Sequence, residues 1–462
     1  MADVKELREK LFNDPKNGLL RASDEEIAAA EKFCEPYKKF LDAAKTEREA
    51  VSEAVRLAEN AGFKPFEKGK KYAPGDRYYV NNWGKAAVFV VIGQKDASHG
   101  VRIGAAHIDS PRLDLKPNPV YEDIELALLK THYYGGIKKY QWTAIPLALH
   151  GVFAKKDGTT VNVTIGENDD EPCFVVSDLL PHLSQEQNKR TLNEGIKGEE
   201  LNVLIGSRPF KSDEGSELVK LNILNILFEK YGVNEADFLS AELEVVPAFK
   251  ARDIGFDRSL IGAYGHDDRV CAYPSLMACI DAKVPERTIL CVLADKEEIG
   301  SVGYTGLDSD FVKHVVSDIA RLQNVEPDDA LRASQCLSAD VNAAVDPTFQ
   351  DAFERRNASF LNYGVVITKY TGARGKSGSN DASAEYMGQI RAMLDNAGVI
   401  WQSGELGKVD IGGGGTVALY IASLGVETVD LGVPVLSMHA PFETVSKLDV
   451  YMTYRAMQEF FK

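Results

Sequence analysis

Cysteine is scarce in this chain: six in 462 residues, at Cys34, Cys173, Cys271, Cys279, Cys291 and Cys336, with no Cys-x-x-Cys pair among them. So few exclude a disulfide framework and fit a reducing compartment. They read as small buried hydrophobes. No apolar stretch approaches the length of a membrane span. The start, Met1-Ala2-Asp3-Val4-Lys5-Glu6, lacks the basic residues and apolar run of a secretory signal. Basic blocks are missing too, because Lys and Arg are dispersed. With 53 of them against 69 Asp and Glu, the formal net charge is -16. Such a surface repels phosphate backbones, so nucleic acid is not an expected partner, and without an apolar span neither is a membrane. These absences together predict a cytoplasmic protein.

What is present is globular. Hydrophobic residues make up 44% and charged residues 26%, the composition of a packed protein. The length exceeds one ordinary core and predicts two domains, or one large domain with an insertion. Residues 24–60 are helical in pattern, with capping-box spacing at Ser23/Glu26 and Thr46/Glu49 and a stop at Gly62. Strand-like runs follow at Tyr78–Val80, Ala87–Ile92 and Val101–Ala106. From about 114 to 250, short β-like pieces such as Val161–Ile165 and Leu201–Ile205 alternate with polar loops, the longest at Gln185–Glu200. After that block, buried strands are expected at Thr288–Ala294, Gln335–Ala339 and Thr428–Ser437. Helices are expected at Phe311–Leu322, Ala382–Ala397 and Thr416–Leu424. This alternation predicts an α/β fold, a mainly parallel sheet sandwiched by helices, interrupted by an inserted β-rich domain.

The possible metal ligands sit where expected strands end. His107 and Asp109 follow one strand, Asp295, Glu297 and Glu298 another, Asp340 a third and His439 a fourth. Asp267 and Asp268 open a helix. In an open α/β sheet, sites form outside the carboxyl ends of the strands, so these segments can converge on one crevice. Two histidines and several carboxylates, without thiolate, suit Zn, Mn or Co. A metal pair needs one bridging carboxylate, and it can activate water and polarise a carbonyl. Consecutive Glu297 and Glu298 point in different directions on an extended segment, so one can bind metal while the other serves as general base. Each piece alone has a plainer reading. His107 can be a histidine bonded in a turn, Asp267-Asp268 a helix cap, Glu297-Glu298 a solvated helix start, and His439 a satisfied core residue. Gly412-Gly413-Gly414-Gly415-Thr416 lacks the Gly-Lys-Ser/Thr ending of a phosphate loop and reads as a tight turn near the crevice. Lys376 reads as surface, and Gly135-Gly136 with Trp142 as a flap with an aromatic anchor or a plain turn with a core tryptophan.

Four segments carry a resemblance: Ala105-Ala106-His107-Ile108-Asp109-Ser110-Pro111, Asp295-Lys296-Glu297-Glu298-Ile299-Gly300-Ser301, Ser338-Ala339-Asp340 and Ser437-Met438-His439. In this order, over nearly the whole chain, they resemble the aspartyl aminopeptidase and vacuolar aminopeptidase family of dinuclear zinc metallopeptidases. The resemblance implies an aminopeptidase with peptide substrates and two divalent metal ions per subunit, assembled from dimers into a dodecamer. It implies a catalytic domain of residues 1–113 and 251–462. Residues 114–250 would form a domain that dimerises and caps the site. Asp267 resembles the bridging ligand, His107 and Asp340 the rest of one metal's set, and Glu298 and His439 the other's. Glu297 resembles the general base, and Asp109 the carboxylate that orients His107.

The chain departs from that pattern twice. The family's Asp-Asn at the bridging position is here Asp267-Asp268-Arg269, similar to related tetrahedral aminopeptidases, so Asp268 competes with Asp267. A histidine that aspartyl aminopeptidases carry shortly after Pro-His-Leu is replaced, after Pro181-His182-Leu183, by Glu186. A carboxylate there would repel an acidic side chain, which leaves acidic and neutral N-terminal residues both open. Other readings of the same scaffold are a carboxypeptidase, a deacylase, or a catalytically silent assembly protein, the last opposed by an intact Glu297.

Overall fold

The computed structural model describes residues 3–415 and 417–462; Met1, Ala2 and Thr416 lie outside the described residues. Helices Asp24–Ala43 and Glu47–Asn60 each open on a capping box, formed by Ser23 with Glu26 and by Thr46 with Glu49. In each box, side chain and backbone satisfy N–H groups that the first helical turn otherwise orphans. Gly62 follows the second helix at φ +92°, where a Cβ would be strained.

These helices pack on a nine-stranded sheet. Its strand order is Lys64–Pro65, Arg77–Asn82, Ala86–Val91, Ile289–Ala294, Arg102–His107, Gln335–Ser338, Glu427–Gly432, Val365–Thr368 and Trp401–Ser403. The four central strands, from Ile289–Ala294 to Glu427–Gly432, run parallel. Antiparallel pairings flank them on both sides. The strands are continuous apolar runs because both faces are covered. Ala87, Phe89, Val91, Cys291 and Leu293 point to one layer, with helices Asp24–Ala43, Glu47–Asn60, His266–Asp281, Ala384–Asn396 and Lys447–Phe460. Ala86, Val88, Val90, Leu290 and Val292 point to the other, with helices Phe311–Leu322, Pro327–Arg332 and Val417–Ser423.

A separate seven-stranded antiparallel sheet is built from Arg112–Asp123, Leu126–Tyr134, Leu147–Ala154, Thr160–Ile165, Val175–Val176, Val203–Gly206 and Ala241–Pro247. Trp142, Phe153 and Val245 lie in its core. This segment also holds a helix that the β-rich reading did not contain, Leu218–Tyr231. Its sequence LVKLNILNILFEKY is apolar on several sides and so displays no helical stripe.

One expected strand is two. Glu427–Gly432 belongs to the nine-stranded sheet, whereas Pro434–Leu436 joins a five-stranded sheet with Arg252–Ile254, Leu260–Ala263, Glu443–Ser446 and Asn342–Ala343. Two residues explain the break. A Cβ on Gly432 would sit 1.7 Å from the carbonyl oxygen of Asp340, so the chain must cross there without one. Pro434 then lacks the N–H needed to continue an interior ladder. His439 therefore follows a strand of the small sheet and not, as expected, the end of a strand in the large one.

Candidate metal centre

Five segments meet at the carboxyl edge of the parallel strands. His107 is the last residue of its strand, and Asp340 lies two residues beyond Gln335–Ser338. Glu297 and Glu298 open the short turn Glu297–Ile299, entered through Lys296 at φ +69°. Asp267 sits at the start of His266–Asp281, where its φ and ψ depart from helical values. His439 arrives at φ +65°. Left-handed non-glycine residues such as Lys296 and His439 hold strained backbone, a common property of functional sites.

Asp267 is the centre of the arrangement. Its Oδ1 lies 3.1 Å from His107 Nε2, and its Oδ2 lies 3.1 Å from His439 Nε2. Asp340 Oδ1 is 3.8 Å and Glu297 Oε2 3.9 Å from His107 Nε2, and Glu298 Oε1 is 3.7 Å from His439 Nε2. His107 Nδ1 faces Asp109, at 3.1 Å from its carbonyl oxygen and 3.4 Å from its carboxylate. With that nitrogen engaged, Nε2 is the one left to ligate. His439 Nδ1 likewise meets the carbonyl of Gly136 at 2.7 Å. Asp268 turns elsewhere: its Oδ2 accepts the backbone N–H of His107 at 3.2 Å, although the residue also groups with His107 and Asp340.

The electrostatics describe a site short of positive charge. Burial, then the neighbouring Asp340 and Asp267, push Glu297 up to about 8. Burial and Asp267 push Glu298 well above its usual range, and burial takes Asp340 up to about 7. Burial works against ionisation of Asp267 as well, but its contacts with His107 and His439 outweigh it and hold that carboxyl low. Burial also opposes charge on His439, yet Asp267 and Glu298 hold it up to about 10. His107 Nε2, Asp267 Oδ1, Asp268 Oδ1 and Glu298 Oε1 are buried without a hydrogen-bond partner. Such groups are costly to bury unless something pairs with them. Divalent cations would satisfy His107 Nε2, Asp267 Oδ1 and Glu298 Oε1, so the donor set fits the metal ions expected from the sequence. Candidate ligand groups are His107/Asp268/Asp340, His107/Glu297/Glu298 and Asp267/Glu298/His439.

The centre opens into a cavity of about 640 Å³. The glycines Gly412–Gly415 line it, in keeping with a tight turn near the crevice, and so does Lys376, which is exposed but not remote. Gly136 lines it too, while Trp142 is a core residue of the seven-stranded sheet.

Two residues escaped the sequence reading. Glu443 is buried, accepting His439 N–H at 2.7 Å and Asp267 N–H at 3.1 Å. Tyr134 donates its hydroxyl to Asp109 at 2.8 Å. Neither belongs to a strand-end cluster of ligand types, so no local spelling marks them.

Comparison with known proteins places the chain as a whole. The aminopeptidase I zinc metalloprotease (M18) family matches residues 40–461. The probable M18 family aminopeptidase 1 of Clostridium acetobutylicum is 48% identical over 458 residues, covering 97% of this chain and 98% of that protein. A crystal structure of an M18 family aminopeptidase from Thermotoga maritima is 45% identical, with a TM-score of 0.93 over 98% of this chain and 100% of that one. The fold alone is shared with the mApe1 dodecamer of S. cerevisiae, at 20% identity and a TM-score of 0.75 over 95% of this chain and 97% of that one. The chain belongs to the M18 family of zinc metalloproteases and is a metal-dependent aminopeptidase.

Proposed function

We propose that this aminopeptidase uses two divalent ions, zinc with manganese or cobalt as alternatives, bridged by Asp267. His107 and Asp340 complete one set, Glu298 and His439 the other. The observation that carries this reading is the carboxylate of Asp267, which turns one oxygen to each imidazole at 3.1 Å. When bound, the ions supply Lewis-acid polarisation of the scissile carbonyl and acidify a water. Glu297 lines the same cavity, where its carboxylate would take a proton from a water and pass it to the leaving amine. Asp109 keeps His107 oriented.

The division into a catalytic part, residues 1–113 and 251–462, and an inserted lid and dimerisation part, residues 114–250, is part of this proposal. Leu221, Ile226 and Phe228 on helix Leu218–Tyr231 are exposed, an apolar surface suited to a second copy. The dodecamer of yeast mApe1 supports the same assembly here. Six free cysteines, five of them buried, support a cytoplasmic location, and the negative charge supports the absence of nucleic acid. No helix among the described residues is long and apolar enough to cross a membrane. Substrates are peptides with an acidic or neutral first residue. Glu186 is exposed and pairs with Lys189 at 2.5 Å, which tempers its repulsion of an acidic side chain.

The test is a panel of aminoacyl-p-nitroanilides with Asp, Glu, Leu and Lys, with chelator and with added Zn, Mn or Co. Chelator-sensitive release of the first residue is expected, and the best substrate sets the preference. Glu297→Gln should keep its metal and lose turnover; full turnover in that variant would remove Glu297 as the base.

A further inference from the structure

We propose that the Tyr134 hydroxyl is a positioning group of the metal centre, through which the seven-stranded sheet holds Asp109 in place. This rests on the ligand set proposed above. Asp109 is fully buried, and its carboxylate is a hub. Oδ1 accepts the backbone N–H of Glu297 at 3.1 Å, and Oδ2 accepts that of Glu298 at 3.2 Å. The same Oδ2 accepts the Tyr134 hydroxyl at 2.8 Å, and Oδ1 lies 3.4 Å from His107 Nδ1. An ionised carboxylate only accepts, so the phenol must donate. One carboxylate thus sets the ring of His107 and the backbone of both glutamates, and among the described residues Tyr134 is its side-chain hydroxyl donor.

Tyr134 is itself well anchored. It ends the strand Leu126–Tyr134 and pairs with Arg112 on the neighbouring strand. The Arg112 guanidinium lies 3.9 Å from the centre of the tyrosine ring. Arg112 in turn meets Glu47 at 3.2 Å, Glu244 at 3.2 Å and Asp114 at 2.8 Å. Glu47 belongs to the helix packed on the large sheet, and Glu244 and Asp114 belong to the inserted sheet. The two residues after Tyr134 also touch the centre. A Cβ on Gly135 would lie 3.1 Å from Glu298 Oε2, and the Gly136 carbonyl accepts His439 Nδ1. The last residue of this strand and the two that follow it therefore bear on Asp109, Glu298 and His439.

Tyr134→Phe removes the donor and keeps the ring under Arg112. Partners of this kind typically change metal affinity or activity by about 10- to 100-fold. The expected result is a fall in zinc affinity, read by chelator competition, and in kcat, each about 10-fold, with KM little changed. Tyr133→Phe, on the preceding residue, should match the parent protein. If Tyr134→Phe keeps parental zinc affinity and kcat, whatever its melting temperature, the hydroxyl serves the fold alone and the proposal is overturned. Asp267→Ala separates the two levels. If it loses zinc while Tyr134→Phe does not, only the positioning role fails; if it retains zinc, the ligand set fails first.

Discussion

Glu443 accepts the backbone N–H of His439 at 2.7 Å, and so holds a residue that sits at φ +65°. Its other oxygen accepts Asp267 N–H at 3.1 Å, so one carboxylate clamps the two backbones that face each other across the centre. Glu443→Ala frees both, and a loss of zinc affinity of at least about 10-fold is expected. Glu443→Gln keeps one acceptor but turns an NH₂ toward a second N–H, and should fall between the two. Zinc titration of both variants checks the order; equal affinity in all three proteins would refute the clamp.

Stability of the metal-stripped protein should fall as pH rises. Glu297 and Glu443 are raised from 4.5 to about 8 and Asp340 from 3.8 to about 7, in each case by burial first. The folded chain then holds protons that the unfolded chain has released, so the stabilisation is full below the unfolded values and is lost through the folded ones. His439, raised to about 10, acts with the same sign. Carboxyls held low, such as Glu167 at about 2, act only below this window. His266, lowered to about 3 by burial, acts with the opposite sign only up to about pH 6.5, so the melting temperature of the chelated protein should drop between about pH 6.5 and pH 8. Zinc must displace those protons, so its affinity should rise over the same range. A chelated protein that grows more stable toward pH 8 would contradict this balance.

Gly135→Ala should impair catalysis more than folding. Gly135 has φ +73°, and a Cβ there would press on Glu298 Oε2 at 3.1 Å. Alanine at positive φ costs about 1 kcal/mol, a modest part of a large domain's stability. Displacing the Glu298 carboxylate, however, should lower kcat by about 10-fold or more. Denaturant midpoint and kcat, measured on the same preparation, separate the two effects.

Thr46→Ala should do the reverse. The Thr46 hydroxyl accepts Glu49 N–H at 3.2 Å, and its loss should cost about 1 kcal/mol. Glu49 also meets His150 of the inserted sheet at 2.7 Å, so the cap supports the join between the sheets. Urea titration should register the loss, while kcat per folded molecule stays unchanged.

Much of this was readable from the sequence because ligand types end buried strands. His107, Glu297, Glu298 and Asp340 are marked that way by local pattern alone. Both capping boxes were readable for the same reason, since their partners lie three residues apart. Glu443 reaches Asp267 and Tyr134 reaches Asp109 across long stretches of chain, and nothing in a local window links either pair. The break between Gly432 and Pro434 depends on how closely Asp340 crosses, which only the folded backbone reveals. Helix Leu218–Tyr231 was hidden by its own apolarity, because a segment apolar on several sides has no stripe to read. Asp267 and Asp268 are indistinguishable by spelling and differ only in what their oxygens face.

The late position of His439 in the chain has a consequence for the cell. A ribosome makes His107, Asp267, Glu298 and Asp340 well before it reaches His439, and Glu443 follows later still. The growing polypeptide thus carries most of a hydrolytic centre but not the imidazole that faces Asp267 from the small sheet. The ligand set proposed above is therefore complete only once His439 has been made, and its backbone is held only once Glu443, the first residue of the strand Glu443–Ser446, has followed.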